Sequence, residues 1–303
     1  MNKVVVIGCG NVGMSYVYAL LNQKTNVQDL VLIDLDQERI KGEVMDLNHC
    51  LAFAPSKIDI KVGTYQDCKD ATLVVIAAGA NQNSGETRMD LINKNSKIFK
   101  SIVTSVVESG FNGMFLVATN PLDVMTYLTW KYSGFPTNRV IGSGTSLDTA
   151  RLRYMIGDKL KISPKNVHAY VIGEHGDSEF VPWSNASVGL QNIKDFLTDE
   201  ELDKIYVDVR DAAYEIINRK GATYYGIGMC LVRITNAILN DENSIITVSS
   251  YDPNNNIFVG GPTILNNEGI RERVYVKLTE DETNKLQASI DKIKDAVNKI
   301  EKD

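Results

Sequence analysis

Apolar residues in the first half of the chain come in short, continuous, β-branched runs separated by longer amphipathic stretches. The runs are Lys3–Ile7, Leu30–Asp34, Ile58–Val62, Leu73–Ala77 and Met114–Ala118, with a weaker one at Arg139–Ile141. Runs without polar alternation suit strands covered on both faces, so they predict a parallel sheet. Helical stretches lie between them, near residues 11–23, 37–50, 89–109 and 121–132. Gly110 ends one of these, and Asn120 before Pro121 predicts the N-cap and first turn of the next. Six strands with crossover helices predict an α/β fold with a doubly wound sheet.

The second half reads differently. A helix is predicted near 146–160, a short strand at His168–Ile172, and a long helix near 199–219. Thr198 and Glu201 have capping-box spacing at the start of that helix, and Gly221 follows its end. Tyr224 to Asn240 reads as helical, and a turn-rich, β-rich stretch then runs to about Lys277. Thr279 and Glu282 repeat the capping box before a last helix, whose apolar stripe is Leu286, Ile290, Ile293, Val297 and Ile300. Such a stripe predicts a helix docked on its own domain rather than a coiled coil.

Composition narrows the class. At 303 residues, 44% hydrophobic and 23% charged, the chain has globular proportions and length enough for a large core. No segment is apolar enough to span a bilayer, and the opening run Val4–Ile7 stops at Gly8 without a signal-peptide layout. Cys9, Cys50, Cys68 and Cys230 are scattered, which suits reduced thiols in the cytosol and neither disulfides nor a metal site. A formal charge of −6 with no long basic cluster argues against nucleic acid as a partner.

Gly8-Cys9-Gly10-Asn11-Val12-Gly13 fits G-x-G-x-x-G between a predicted strand and a helix, with Asp34 ending the next strand. Gly8 serves the tight turn, Gly10 the approach of a pyrophosphate to backbone N–H groups, and Gly13 close helix–strand packing. Asp34 can accept hydrogen bonds from both ribose hydroxyls and would repel a 2′-phosphate. Arg39 is the only nearby cation, so NAD is favoured over NADP.

Three further features carry chemistry. His175 lies in the glycine-flanked run Ile172-Gly173-Glu174-His175-Gly176-Asp177, and an imidazole can give and take a proton near neutrality. Asp148 and Arg151 share one helix face, as an orienting carboxylate with a substrate anchor or as a plain surface ion pair. Gly79 to Arg88 is polar, bounded by Gly79 and Gly85, and follows the fourth predicted strand, as a mobile lid or an ordinary loop would.

These pieces occur in one characteristic order. Gly8–Gly13 with Asp34, Gly79–Arg88, Thr119–Asp123, Gly142–Arg151, Ile172–Asp177 and Gly221–Gly226 together resemble the L-lactate/malate dehydrogenase family, its bacterial L-lactate members in particular. The resemblance runs from residue 3 to about 300. It implies a Rossmann-type NAD-binding domain over 1–143 and a mixed α+β substrate domain over 144–303. It implies that His175 exchanges a proton with the substrate, Asp148 orients the imidazole, Arg151 grips the substrate carboxylate and Arg88 polarises the carbonyl. Asn120 would touch cofactor and substrate, Thr223 the substrate, and Val12, Tyr65, Gly79 and Ala80 the NAD. The family's malate enzymes carry arginine where this chain has Gln82, so the neutral side chain implies pyruvate and lactate rather than a dicarboxylate. Arg153 and His168 match positions that bind fructose 1,6-bisphosphate between subunits in allosteric members, which also implies a homotetramer. Ser249 to Pro262 is shorter than the family's counterpart, with Gly261 where an apolar residue is usual.

Overall fold

The computed structural model describes residues 2–80 and 88–301, together with the backbone but not the side chain of Arg88. The first half alternates strands and helices: β1 (Lys3–Ile7), α1 (Asn11–Leu21), β2 (Asp29–Ile33), α2 (Gln37–Cys50), β3 (Asp59–Val62), β4 (Leu73–Ile76), α3 (Arg88–Glu108), β5 (Met114–Val117), α4 (Leu122–Ser133) and β6 (Val140–Gly142). These six strands are parallel, in the order β3-β2-β1-β4-β5-β6. That is the doubly wound order of a Rossmann sheet, which opens its ligand crevice at the carboxyl ends of β1 and β4.

Both faces of this sheet are buried, which explains the unbroken apolar runs. Val4 and Val6 pack on one side with α1 and α2, while Val5 and Ile7 pack on the other with α3 and α4. Each such fully buried aliphatic side chain contributes about 1.5–3 kcal/mol relative to exposure.

The second half holds α5 (Ser146–Leu160), β7 (Val167–His168), β8 (Ser187–Val188), β9 (Gln191–Asn192), α6 (Asp199–Lys220), α7 (Tyr225–Leu239), β10 (Ser244–Asp252), β11 (Ile257–Asn266), β12 (Gly269–Arg273) and α8 (Glu280–Ile300). Part of it forms a small antiparallel sheet, β7-β8-β9, and the rest joins the first half. β10, β11 and β12 extend the Rossmann sheet beyond β6, with Ser249 opposite Gly142, so nine strands of the described residues share one sheet. α7 returns to the first half and packs on α1, where Gly228 lies against the backbone of Ser15 and Tyr16. The buried Tyr16 hydroxyl meets Thr235 Oγ1 across the same contact at 2.9 Å. The last helix is docked as its stripe predicts, with Ile290, Ile293 and Val297 buried in the core that also holds α4.

Two local expectations are corrected. Asn120 is not the N-cap of α4: the Asn120–Pro121 peptide is cis, Pro121 itself takes the cap position, and no side chain caps the helix. The strand expected at His168–Ile172 is shorter, because only Val167 and His168 pair with β8. Ile172 and Gly173 instead make single bridges to Phe180 and Gly260, which frees the chain to turn.

The chain closes as a tight turn between β10 and β11. The Asp252 carboxylate accepts from Asn254 N–H at 3.0 Å and from Asn255 Nδ2 at 2.7 Å, and Asn256 takes a left-handed φ of 53°. A Cβ on Gly261 would lie 3.3 Å from the Arg273 guanidinium. Arg273 thus lies beside Gly261, and its Nη1 donates to Ser250 O at 2.8 Å and to Val259 O at 3.2 Å.

Candidate active site

The glycine turn after β1 is built as its spacing predicts. Gly8 has φ +90°, and a Cβ there would come within 2.3 Å of the Ala78 backbone. A Cβ on Gly13 would lie 2.1 Å from Gly8 O, so α1 can sit on β1 only with glycine at both places. Gly10 is different. Among the described residues no atom lies within 4 Å of a Cβ built there, and as N-cap of α1 it offers no side chain to the first-turn N–H groups. Open space over the N–H groups of a helix start without a side-chain cap fits the pyrophosphate of NAD.

Asp34 holds this turn to the end of β2. Its Oδ2 accepts from Cys9 N–H at 2.7 Å and its Oδ1 from Asp36 N–H at 3.0 Å. A carboxylate has about four lone-pair sites, so it retains capacity for ribose hydroxyls. Arg39 donates to the Cys9 carbonyl and approaches Glu43 Oε1 at 3.8 Å, so it is engaged with the loop and an acid. Tyr65 stands half-buried in a short turn after β3.

At the carboxyl ends of β4 and β5, Asn95 of α3 joins two loops. Ala80 N–H donates to Asn95 Oδ1 at 2.8 Å, while Asn95 Nδ2 donates to Asn120 O at 3.0 Å. Asn95 is fully buried and had no sequence signal beyond its polarity inside a helical stretch. Gln82 lies outside the described residues, as does the side chain of Arg88.

One cavity of about 490 Å³ gathers the remaining chemistry. Val12, Gly79, Ala80 and Asn120 line its side toward the glycine turn, and Asp148, Arg151, His175 and Glu179 its other wall. Thr223 lies in the turn between α6 and α7 and is not among the lining residues.

Within this cavity Asp148 is the hub. Its Oδ2 is 2.6 Å from His175 Nδ1, and its Oδ1 accepts from Arg151 Nη1 at 2.8 Å. The helical i, i+3 spacing of Asp148 and Arg151 is therefore an inward-facing pair, with side chains only 3% and 11% exposed. Burial disfavours the imidazolium, but the Asp148 carboxylate outweighs it, with help from Asp123, and pushes His175 up to about 9. The side chain of His175 keeps 24% of its surface open to the cavity, which softens the burial penalty and favours the pairing. Asp148 is itself held below the usual carboxylate range: its own burial is overcome by His175, Arg151 and Glu179.

The loop that carries His175 is pinned from behind. His175 N–H donates to Asp123 Oδ2 at 2.8 Å, and Ser249 Oγ donates to Asp123 Oδ1 at 2.5 Å. Burial raises Asp123 to about 6 despite these two bonds. Glu174 N–H donates to Ser289 Oγ of α8 at 2.5 Å, and Lys292 of the same helix is 3.2 Å from the Glu174 carboxylate. Asp123 stands inside a motif visible in the sequence, but its anchoring role was not.

Asp148, His175 and Glu179 each place a donor atom within 4.8 Å of the other two, a spacing that a metal ion could bridge. Positive charge is already supplied there by Arg151 on Asp148 Oδ1. Arg153 and His168 lie elsewhere. Arg153 Nε donates to Ala169 O at 3.0 Å with its guanidinium 4.8 Å from the Tyr170 ring centre, and His168 is exposed on β7.

Comparison with known proteins places this geometry. Residues 2–142 match the family model described as lactate/malate dehydrogenase, NAD binding domain, and residues 145–303 match its alpha/beta C-terminal domain. L-lactate dehydrogenase 1 of Bacillus cereus is 52% identical over 98% of each chain. A lactate dehydrogenase enzyme from a Medee basin deep-sea metagenome library superposes with a TM-score of 0.96 at 53% identity, covering 98% of both chains. The minor L-lactate dehydrogenase of Enterococcus mundtii in its ligands-bound form gives 0.96 at 43% identity, covering 99% of this chain and 98% of that one. No helix of the described residues is long and apolar enough to cross a membrane. This chain belongs to the lactate/malate dehydrogenase family and is an NAD-dependent oxidoreductase.

Proposed function

We propose that this protein is a cytosolic L-lactate dehydrogenase, interconverting pyruvate, NADH and a proton with L-lactate and NAD⁺, with its nucleotide unit over 1–143 and its substrate unit over 144–303. The observation that carries this reading is the Asp148–His175–Arg151 cluster, set in one cavity with Gly79, Ala80 and Asn120. Nicotinamide, when bound, supplies or receives the hydride.

The chain's own residues do the rest. Arg151 holds the substrate carboxylate by two parallel N–H···O bonds, which a lysine could not copy. His175, as imidazolium, gives its proton to the carbonyl oxygen during reduction and takes it back from the hydroxyl during oxidation. Asp148 carries the imidazolium's counter-charge and keeps Nδ1 occupied, leaving Nε2 for substrate. Arg88 stabilises the oxygen as negative charge develops on it. One anionic and two cationic groups leave the cluster net positive, which suits a monocarboxylate. The roles of Arg88, Thr223 and Tyr65 rest on resemblance.

Gln82 favours pyruvate over oxaloacetate, because a second carboxylate would be desolvated there without a cation. The test is loss of NADH absorbance with pyruvate, oxaloacetate and longer 2-oxo acids. Turnover of pyruvate in preference to the others supports the reading, and NADH binding without turnover overturns it. Gln82→Arg should shift the ratio of specificity constants toward oxaloacetate.

A finer proposal is regulation by fructose 1,6-bisphosphate at Arg153 and His168 in a homotetramer. A cavity of about 430 Å³ lined by Arg153, Lys165 and Arg233 offers cations for a phosphate. Exposed Tyr18, Tyr225 and Met229 border a separate apolar cavity that suits contact with another copy. A half-saturation for pyruvate unchanged by the bisphosphate would remove the regulatory proposal, and sedimentation checks the assembly.

A further inference from the structure

Glu179 is a buried acid that no step above uses. It is 3% exposed, lines the same cavity as His175, and brings a carboxyl oxygen within 4.8 Å of both Asp148 and His175. Its backbone is fixed on both sides: Glu179 N–H donates to Gly176 O at 3.0 Å, and Tyr206 Oη donates to Glu179 O at 2.8 Å. The neighbouring Phe180 pairs with Ile172 across the base of the loop. The side chain is therefore delivered to Asp148 by a rigid stretch rather than by a mobile tip.

Two carboxyl groups buried this close together resist ionising together, because each charge raises the cost of the other away from water. Asp148 already faces two cations, Arg151 and His175, so it is the anion and Glu179 holds the proton. The titratable groups around Glu179 are Asp148 and Arg151 from α5, His175 from the loop, and Tyr206 and Arg210 from α6. Burial, then the Asp148 charge, push Glu179 up to about 9, in line with the geometry.

We propose that Glu179 is a positioning residue for the reaction: its carboxylic acid donates to Asp148 and so fixes the carboxylate that holds the imidazole of His175. The neutral acid has a second effect. It leaves the Asp148–Arg151–His175 cluster net positive, whereas an ionised Glu179 would cancel that charge and weaken the hold on a substrate carboxylate. This inference rests on the reading of His175 as the proton-exchanging group.

The test compares wild type, Glu179→Gln and Glu179→Val, each with NADH and pyruvate across the alkaline range. Glutamine can still donate to Asp148 but has no proton to lose, so its rate at neutral pH should stay within about threefold of wild type. Its alkaline fall in kcat/KM should follow a one-proton slope, where wild type falls more steeply. Valine removes the donor, and should cost about ten- to a hundredfold in kcat/KM. Infrared spectra of the resting protein should hold a protonated-acid carbonyl band at neutral pH that Glu179→Gln lacks. Matching rates and slopes for the glutamine and valine variants, or absence of that band, would overturn the proposal. If the valine variant does not fold, the glutamine slope and the infrared band decide. Absence of pyruvate turnover in wild type would instead count against the functional reading, while the infrared band would still report on Glu179.

Discussion

Asp148 and His175 meet at 2.6 Å, Oδ2 to Nδ1, and the other oxygen of Asp148 is bound by Arg151 one helical turn away. The carboxylate thus orients an imidazole and a guanidinium at once. Replacing Asp148 with Asn keeps the shape but removes the charge that lifts His175 to about 9. The amide can also present N–H to Nδ1 and impose the wrong tautomer. Asp148→Asn should lower kcat/KM for pyruvate at neutral pH by about 10²–10³-fold. The midpoint of its pH profile should move down, toward or below the ordinary histidine value of 6.5. Steady-state rates across pH check both; an unmoved midpoint would contradict the pairing.

The same pair has a consequence for stability. His175 is raised from 6.5 to about 9, so the folded state binds its proton more tightly than the unfolded state does. That contribution is complete below pH 6.5 and is lost as pH rises through about 9. Glu179 acts in the same direction, from its ordinary 4.5 up to about 9. Thermal melts should therefore show Tm falling between about pH 6.5 and 9, and Asp148→Asn should flatten that fall. A Tm that climbs over this range in wild type would contradict both assignments.

The sheet could be read from the sequence because its signal is local: continuous apolar runs mean strands with two covered faces. The glycine turn was legible for the same reason, since Gly8, Gly10 and Gly13 act within six residues of one another. The continuation of that sheet by β10 was not, because a register of Ser249 opposite Gly142 leaves no mark on either segment alone. His175, Asp148 and Arg151 stood out through motif order, whereas Glu179 and Asn95 gain meaning only from neighbours far along the chain. Asn120 misled in the opposite way. Its sequence with Pro121 mimics a helix start, yet its carbonyl is spent on Asn95 and the helix begins two residues later.

The three glycines of the nucleotide turn separate folding from binding. Gly10→Ala meets no atom of the described residues, so the variant should fold with a Tm close to wild type while its added methyl occupies the space over the α1 N-terminus. NADH affinity should fall by about tenfold or more, as N–H groups lose their approach to a phosphate. Gly13→Ala places its Cβ 2.1 Å from Gly8 O and should destabilise the fold itself, by at least about 1–3 kcal/mol. Melting curves and NADH fluorescence titrations on both variants check the contrast. Equal loss of stability in the two would show that Gly10 is kept for packing.

Ser289 tests whether the last helix positions the His175 loop from outside the cavity. Its hydroxyl oxygen accepts from the buried Glu174 N–H at 2.5 Å, one residue before His175, and lies 3.2 Å from the Ser178 hydroxyl. Ser289 is fully buried and is not among the residues lining the cavity. Alanine there leaves a buried N–H without its acceptor, which costs about 1–3 kcal/mol and lets the loop relax around Gly173. If the loop's position sets the angle of the imidazole, Ser289→Ala should lower kcat for pyruvate while leaving NADH affinity unchanged, because the glycine turn lies at the other end of the cleft. A parallel set of melts separates the two effects: the stability loss should be present at all pH values, and the kcat loss should persist at temperatures where the variant is fully folded. Recovery of wild-type kcat under those conditions would confine Ser289 to stability and leave Asp123 as the anchor of His175.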